Sequence, residues 1–122
     1  EVVVADIETG PWPLAGRRFD AVLVTNYLWR PLLPTLVDSV ADGGLLIYET
    51  FADGQQTVGR PSRPDFLLRP GELIAACAGL RVLAYEDGFL GDPDRFVQRI
   101  VAARSPAAMA RYPLDGVPGA GG

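Results

Sequence analysis

Polar side chains directly follow three apolar runs of this chain, and their types are those used in ligand binding and group transfer. Asp6 follows the first run, Thr25, Asn26 and Tyr27 close the second, and Glu49 follows the third. A carboxylate accepts strong hydrogen bonds, an amide donates and accepts, and tyrosine offers a hydroxyl and an aromatic face. Ligands of open α/β sheets bind beyond the carboxyl ends of the strands. If the apolar runs are strands, these residues form one candidate site.

Each of these residues also has a structural interpretation. Asp6 could be a surface acid or a cap at the end of a strand. Thr25, Asn26 and Tyr27 could form an ordinary polar loop, with Tyr27 packed on the sheet. Glu49 could pair with one of the many arginines instead of facing a substrate. The residue types alone leave both interpretations open.

Composition excludes several other chemistries. The chain of 122 residues has no histidine, which removes Ser-His and Cys-His nucleophiles and most zinc sites. Its net charge of −4 argues against nucleic acid as a partner. The single Cys77 cannot form an internal disulfide, which favours a cytoplasmic location, and we expect it to be a small core residue. No apolar run is long enough to span a membrane.

Short apolar runs alternate with helix signals. The predicted strands are VVVA from Val2, FDAVLVT from Phe19, LLIY from Leu45, Leu80–Tyr85 and Phe96–Ala103. Pro31 opens one helix, which Asp42-Gly43-Gly44 ends, and Pro70 opens a second that ends at Gly79. Buried strands that alternate with helices predict an α/β domain with a parallel sheet.

The last two strands are expected to be antiparallel. About ten residues separate them, whereas a parallel crossover needs a dozen or more. A closing antiparallel pair disfavours an NAD-linked dehydrogenase of the Rossmann type, whose sheet ends in parallel strands.

A long segment from Ala52 to Arg69 connects the third strand to the second helix. Loops of this length inside compact domains are often functional. Its arginines Arg60, Arg63 and Arg69 could form a lid or a substrate rim that binds an anion, or a solvated stretch balanced by nearby acids. Of the two tryptophans, we expect Trp12 to anchor the link between the first two strands and Trp29 to pack.

Four stretches, in this order, resemble one enzyme family. They are VVVADIE, FDAVLVTNYL, DGGLLIYETF and GRPSRPDFLLRPGEL, and they extend over about residues 2 to 104. In class I S-adenosylmethionine-dependent methyltransferases, the third strand ends in an acid, the fourth begins with Phe-Asp, and a Gly-Gly turn opens the fifth. The last stretch is similar to a bacterial subgroup distantly related to the tellurite-resistance methyltransferases.

The chain departs from that family at its start. The glycine-rich loop that follows the family's first strand is absent, and so is the second strand. We therefore expect residues 1–104 to form the later part of the domain, from its third strand onward, and residues 105–122 to be a disordered tail. In the family's strand order, 3-2-1-4-5-7-6, the absent strands would separate the first two runs.

This departure predicts an exposed sheet edge along the strand that begins at Phe19. A longer protein could complete the sheet there, a homodimer could form through the edge, or the chain could rearrange.

The resemblance implies methyl transfer from S-adenosylmethionine to a small-molecule acceptor, without a metal. It assigns Asp6 as the acceptor for the adenine amino group and Ile7 as a packing surface for the ring. Thr25, Asn26 and Tyr27 would lie beside the sulfonium and the incoming nucleophile. Glu49 would face the acceptor, where it could act as a base. The alternative is a non-catalytic interaction module that has lost the cofactor-binding loop.

Overall fold

A computed structural model of the protein describes residues 2–5 and 16–105, with side chains from residue 16 onward. Asp6, Ile7, Trp12 and the part of the predicted tail beyond Ser105 lie outside the described residues. No helix within the described ranges is long and apolar enough to cross a membrane.

Five strands form one mixed sheet. In chain order they are β1 (Val2–Ala5), β2 (Phe19–Thr25), β3 (Val40–Phe51), β4 (Arg81–Leu90) and β5 (Arg95–Ala103). Their order across the sheet is β1-β2-β3-β5-β4; the first three are parallel, and β5 is antiparallel to both of its neighbours. The predicted α/β class and the antiparallel final pair are confirmed. The order of β2, β3, β5 and β4 across the sheet is the one that the resemblance predicts for the corresponding strands.

One expectation about the sheet is wrong. β2 is not an exposed edge, because β1 pairs with it directly and in parallel, from Val2 beside Ala21 to Ala5 beside Val24. This pairing satisfies backbone groups that would otherwise be left unpaired along an apolar strand. The edges of the described sheet are β1 and β4.

Two short helices lie in the connections between strands. A 3-10 turn at Arg30–Leu32 leads into α1 (Leu33–Asp38), and α2 spans Glu72–Ala76. α1 ends earlier than the Gly-Gly pair predicts, because Ser39 caps it: the Ser39 hydroxyl donates to the Leu36 carbonyl at 2.6 Å.

The Gly-Gly pair lies inside β3 instead of ending α1. Gly44 is needed there because a Cβ would lie 2.9 Å from the carbonyl oxygens of Ala41 and Asp20. A close approach between backbones, and not a helix stop, therefore explains this glycine.

The two faces of the sheet are different. On one face, which both helices cover, the side chains are almost fully buried; they include Val22, Val24, Leu46, Tyr48, Ile100 and Ala102. Leu36 of α1 and Leu73 of α2 pack in the same core. Cys77 is buried with them, as expected, and burial raises the pKa of its thiol to about 11. Most side chains of the other face are half-buried or exposed, and Val97 and Ala103 of β5 are buried exceptions.

Candidate functional site

The carboxyl ends of β2 and β3 bring three of the predicted site residues together. Thr25 lies beside Glu49 in the parallel register, and the backbone N–H of Asn26 donates to the Glu49 carbonyl at 3.0 Å. Thr25 and Glu49 are half-buried, and Asn26 is exposed. These residues therefore present a hydroxyl, an amide and a carboxylate at one end of the sheet.

Asn26 has a left-handed backbone, with φ of 54°. Few residue types other than glycine adopt this conformation, and asparagine is one of them. The chain bends directly after β2, and the Asn26 side chain is exposed at this end of the sheet.

Tyr27 lies beneath this turn. It is only 4% exposed and belongs to the hydrophobic core, which agrees with the interpretation that it packs on the sheet. Its carbonyl accepts a hydrogen bond from the buried Tyr48 hydroxyl, and burial raises the pKa of both tyrosines. The two buried rings and this hydrogen bond thus hold the residue that follows Asn26 in place. Trp29, which we expected to pack, is 45% exposed.

Glu49 belongs to an ionic row across three strands. Arg99 of β5 donates to Glu86 of β4 at 2.6 Å and to Glu49 at 3.2 Å. Hydrogen bonds to Glu86 and Glu49 raise the pKa of Arg99. The two acids and one arginine have a net charge of −1. Glu49 therefore pairs with an arginine, which is the structural alternative to its facing a substrate.

Arg99 and Glu86 are not among the site residues that the sequence predicts. A signal was present in FVQRIVAA, where two consecutive polar residues interrupt an apolar strand. Gln98 and Arg99 point to opposite faces because strand side chains alternate. Gln98 is fully buried on the helix-covered face, whereas Arg99 is partly exposed on the other.

The long segment from Ala52 to Arg69 is tied to the rest of the protein at several points. The buried Gln55 amide donates to the Arg60 carbonyl and accepts from the Phe96 N–H. Gln98 holds the end of the segment, with its amide donating to the Arg69 carbonyl at 2.9 Å. These are the contacts of a packed connection, and they give no support to a lid.

Arg30 adds a further attachment. Its guanidinium forms a two-pronged pair with Glu72, at 2.7 and 2.9 Å, and donates to the carbonyls of Pro64, Asp65 and Leu67. Arg63, by contrast, makes only surface contacts among the described residues, an ion pair with Asp65 at 3.4 Å and a cation–π contact with the Phe66 ring at 5.9 Å. The arginine that organises this segment therefore lies outside it.

Comparison with known proteins shows the fold. No protein-family profile matches the chain, and none of the curated proteins matches it. Among solved structures, it is similar to TehB from Haemophilus influenzae (16% identity, TM-score 0.52), with 73% of this chain and 36% of TehB aligned. It is also similar to a protein studied for the conversion of a disulfide bond into a thioacetal group during echinomycin biosynthesis.

That second similarity has 11% identity and a TM-score of 0.53, over 79% of this chain and 52% of the other. The aligned region thus spans between about a third and a half of the length of these two proteins. TehB is a tellurite-resistance methyltransferase. The described chain has a methyltransferase-like fold.

Proposed function

We propose that the protein transfers a methyl group from S-adenosylmethionine to a small-molecule acceptor, in the cytoplasm. The observation that supports this most is the juxtaposition of Asn26, Thr25 and Glu49 at the carboxyl ends of parallel strands, in a methyltransferase-like fold. This is the end of an open α/β sheet at which ligands bind.

The described residues fit such a cofactor in part. The exposed Asn26 amide and the half-buried Thr25 hydroxyl offer donors and acceptors to a polar ligand. Asp6 and Ile7 follow β1, whose last residue, Ala5, pairs with Val24 at the same end of the sheet. We assign Asp6 to the adenine amino group and Ile7 to the face of the ring. The described residues do not include a glycine-rich loop for the methionine part.

The residues of this chain would act mainly by alignment. When bound, S-adenosylmethionine supplies an electrophilic methyl group. Asn26 would orient the acceptor in line with that group, and holding two reactants in a reactive geometry lowers the entropic part of the barrier. Tyr27 and Tyr48 would keep the Asn26 turn fixed.

Glu49 is the candidate proton acceptor of the described site. Its carboxylate is half-buried beside Thr25 at the carboxyl end of β3 and accepts a hydrogen bond from Arg99 at 3.2 Å. An acceptor that is nucleophilic without losing a proton would not need this residue.

Calorimetry with S-adenosylhomocysteine tests the proposal, with the longest protein that the reading frame encodes. We expect binding, and we expect Asp6→Ala to weaken it by about tenfold, the loss of one charge-assisted hydrogen bond. Asp42→Ala removes the same charge from the opposite end of the sheet, where Asp42 is 74% exposed, and should leave the affinity unchanged.

Absence of any binding would refute the enzyme and leave a non-catalytic interaction module. Equal losses in both variants would show an effect of net charge and would refute the role of Asp6.

A further inference from the structure

A small polar pocket lies beyond the carboxyl end of β3. Its volume is about 140 Å³, and its lining residues belong to the long segment that follows β3: Asp53, Gln56, Ser62, Pro64, Leu67 and Arg69. Asp53 is the second residue after Phe51, with which β3 ends. The pocket is therefore at the same end of the sheet as Asn26 and Glu49.

Two opposite charges line this pocket. Within residues 16–105, the Arg69 guanidinium forms no hydrogen bond or ion pair, because the hydrogen bonds of Arg69 come from its backbone and its charge acts on Glu72 only through space. One carboxylate oxygen of Asp53 accepts from the Gln56 amide at 2.9 Å, and no described residue donates to the other. The Ser62 hydroxyl likewise has no hydrogen-bond partner in the described part of the chain. A guanidinium, a hydroxyl and a carboxylate oxygen are thus available to a ligand.

The walls of the pocket are held in place by contacts outside it. Arg30 donates to the carbonyls of Pro64 and Leu67, at 3.3 and 2.7 Å, and the Asp53 N–H donates to the Leu68 carbonyl at 2.8 Å. Fixed walls reduce the conformational entropy that is lost on binding. Arg30 also belongs to the connection that begins at Asn26, so it joins the pocket to the candidate site.

The charges and the size of the pocket restrict the ligand. Arg69 attracts a simple anion, but Asp53 repels it, whereas a zwitterion is attracted by both. The volume corresponds to about five water molecules of roughly 30 Å³ each, and sites for drug-sized ligands measure about 300 to 1,000 Å³. The pocket therefore has room for one end of a ligand and not for the whole of a larger one.

We infer that this pocket binds the zwitterionic head group of an α-amino acid, with its carboxylate on Arg69 and Ser62 and its ammonium group on Asp53. A guanidinium can donate two parallel hydrogen bonds to a carboxylate. The amino acid is then the small-molecule methyl acceptor, and the atom that receives the methyl group belongs to its side chain, outside the pocket. This assignment as acceptor rests on the proposed function, whereas the binding itself requires no cofactor.

NMR titration with three small probes tests the inference, on the same protein as the calorimetry. Glycine carries both charges, acetate only the carboxylate and methylammonium only the ammonium group. We expect glycine to shift the backbone amide signals of Asp53, Ser62 and Arg69. Glycine should also bind at least about tenfold more tightly than acetate or methylammonium, because each of these lacks one hydrogen-bonded charge.

Two variants separate the contributions of the two charges. Arg69→Gln should weaken the binding of glycine by about tenfold or more. Asp53→Asn should weaken glycine similarly but strengthen the binding of acetate, because it removes a repelling charge. Arg63→Gln is the control, since it removes the same charge from the same segment but outside the lining of the pocket, and it should change the affinity for glycine by less than about twofold.

Acetate that binds as tightly as glycine would show a simple anion site and would overturn the inference. Absence of glycine binding, or equal binding by the protein and by Arg69→Gln, would overturn it as well. Calorimetry with S-adenosylhomocysteine separates the two proposals. Glycine binding without S-adenosylhomocysteine binding refutes the enzyme and leaves the pocket, and the reverse result refutes only the pocket.

Discussion

Asn26 illustrates how one backbone conformation fixes the choice of residue. Its φ of 54° favours glycine most and asparagine next. We expect Asn26→Gly to change the free energy of unfolding by less than about 0.5 kcal/mol, and Asn26→Ala to lower it by about 1 kcal/mol. Urea unfolding of the two variants measures the difference. Similar losses in both would mean that the side chain, and not the backbone, stabilises the turn.

The sequence placed Asn26, Thr25 and Glu49 at one end of the sheet correctly, because the carboxyl ends of parallel strands coincide. It could not identify Arg99 as the partner of Glu49. The two residues are opposite each other only because β5 inserts between β3 and β4 with one particular register. Such a register depends on packing across the whole sheet and not on local spacing.

Gln98 joins three elements by one amide. Its oxygen accepts from the Leu73 N–H at 2.8 Å, its nitrogen donates to the Arg69 carbonyl, and the side chain is fully buried. Gln98→Leu should lower the free energy of unfolding by about 2 to 4 kcal/mol, because it leaves the buried Leu73 N–H and the partly buried Arg69 carbonyl without their partner. Gln56→Leu, at an exposed position, is the control and should cost less than about 1 kcal/mol. Urea unfolding that gives Gln98→Leu no larger effect would contradict this role.

Glu72 makes the start of α2 sensitive to acid. Burial acts to raise the pKa of Glu72, but hydrogen bonds from Arg30 and from the Arg69 N–H lower it overall. A lowered folded-state pKa means that the carboxylate stabilises the fold above its ordinary pKa of 4.5, and that this stabilisation is lost as the pH falls through the folded-state value.

Replacing Glu72 by glutamine therefore has an effect that depends on pH. Glu72→Gln should lower the free energy of unfolding by about 1 to 3 kcal/mol at neutral pH, and by less at about pH 3. Urea unfolding at the two pH values measures this convergence. A constant difference would show that Glu72 acts by shape and not by charge.

The sequence predicted which elements exist better than it predicted where they end. The closing antiparallel pair followed from the short link between its strands, and the link in the structure is shorter still, because β4 extends to Leu90. The end of α1 was misplaced because Ser39 caps the helix before the glycines are reached. Capping and close backbone contacts are decided by neighbours in space, which a linear pattern does not contain.

The contrast between the two faces predicts how the core responds to truncation. Leu46 and Ile47 are adjacent in β3 but point to opposite faces, and they are 1% and 39% exposed. Leu46→Ala should lower the free energy of unfolding by about 2 to 5 kcal/mol, the usual cost of a cavity in a core. Ile47→Ala should cost less than about 1 kcal/mol in the 122-residue chain. Calorimetric unfolding of both variants tests this, and equal losses would mean that the face that carries Ile47 is buried in solution.

At the scale of the whole molecule, the order of the strands was predicted except at β1. The resemblance to methyltransferases separated β1 from β2 by two strands, whereas the structure pairs them directly. An apolar strand with unpaired backbone N–H and C=O groups pairs with the nearest strand edge that can satisfy them. The family resemblance describes the complete sheet and does not account for the free energy of this pairing.

The ionic row of Glu49, Arg99 and Glu86 limits what can cover this part of the sheet. Removing a charge from water costs several kcal/mol unless a partner compensates it, and this row has one more acid than base. Any group that covers the row must therefore bring a cation of its own. Otherwise the row remains hydrated, and the carboxyl end of the sheet stays accessible to water and to solutes.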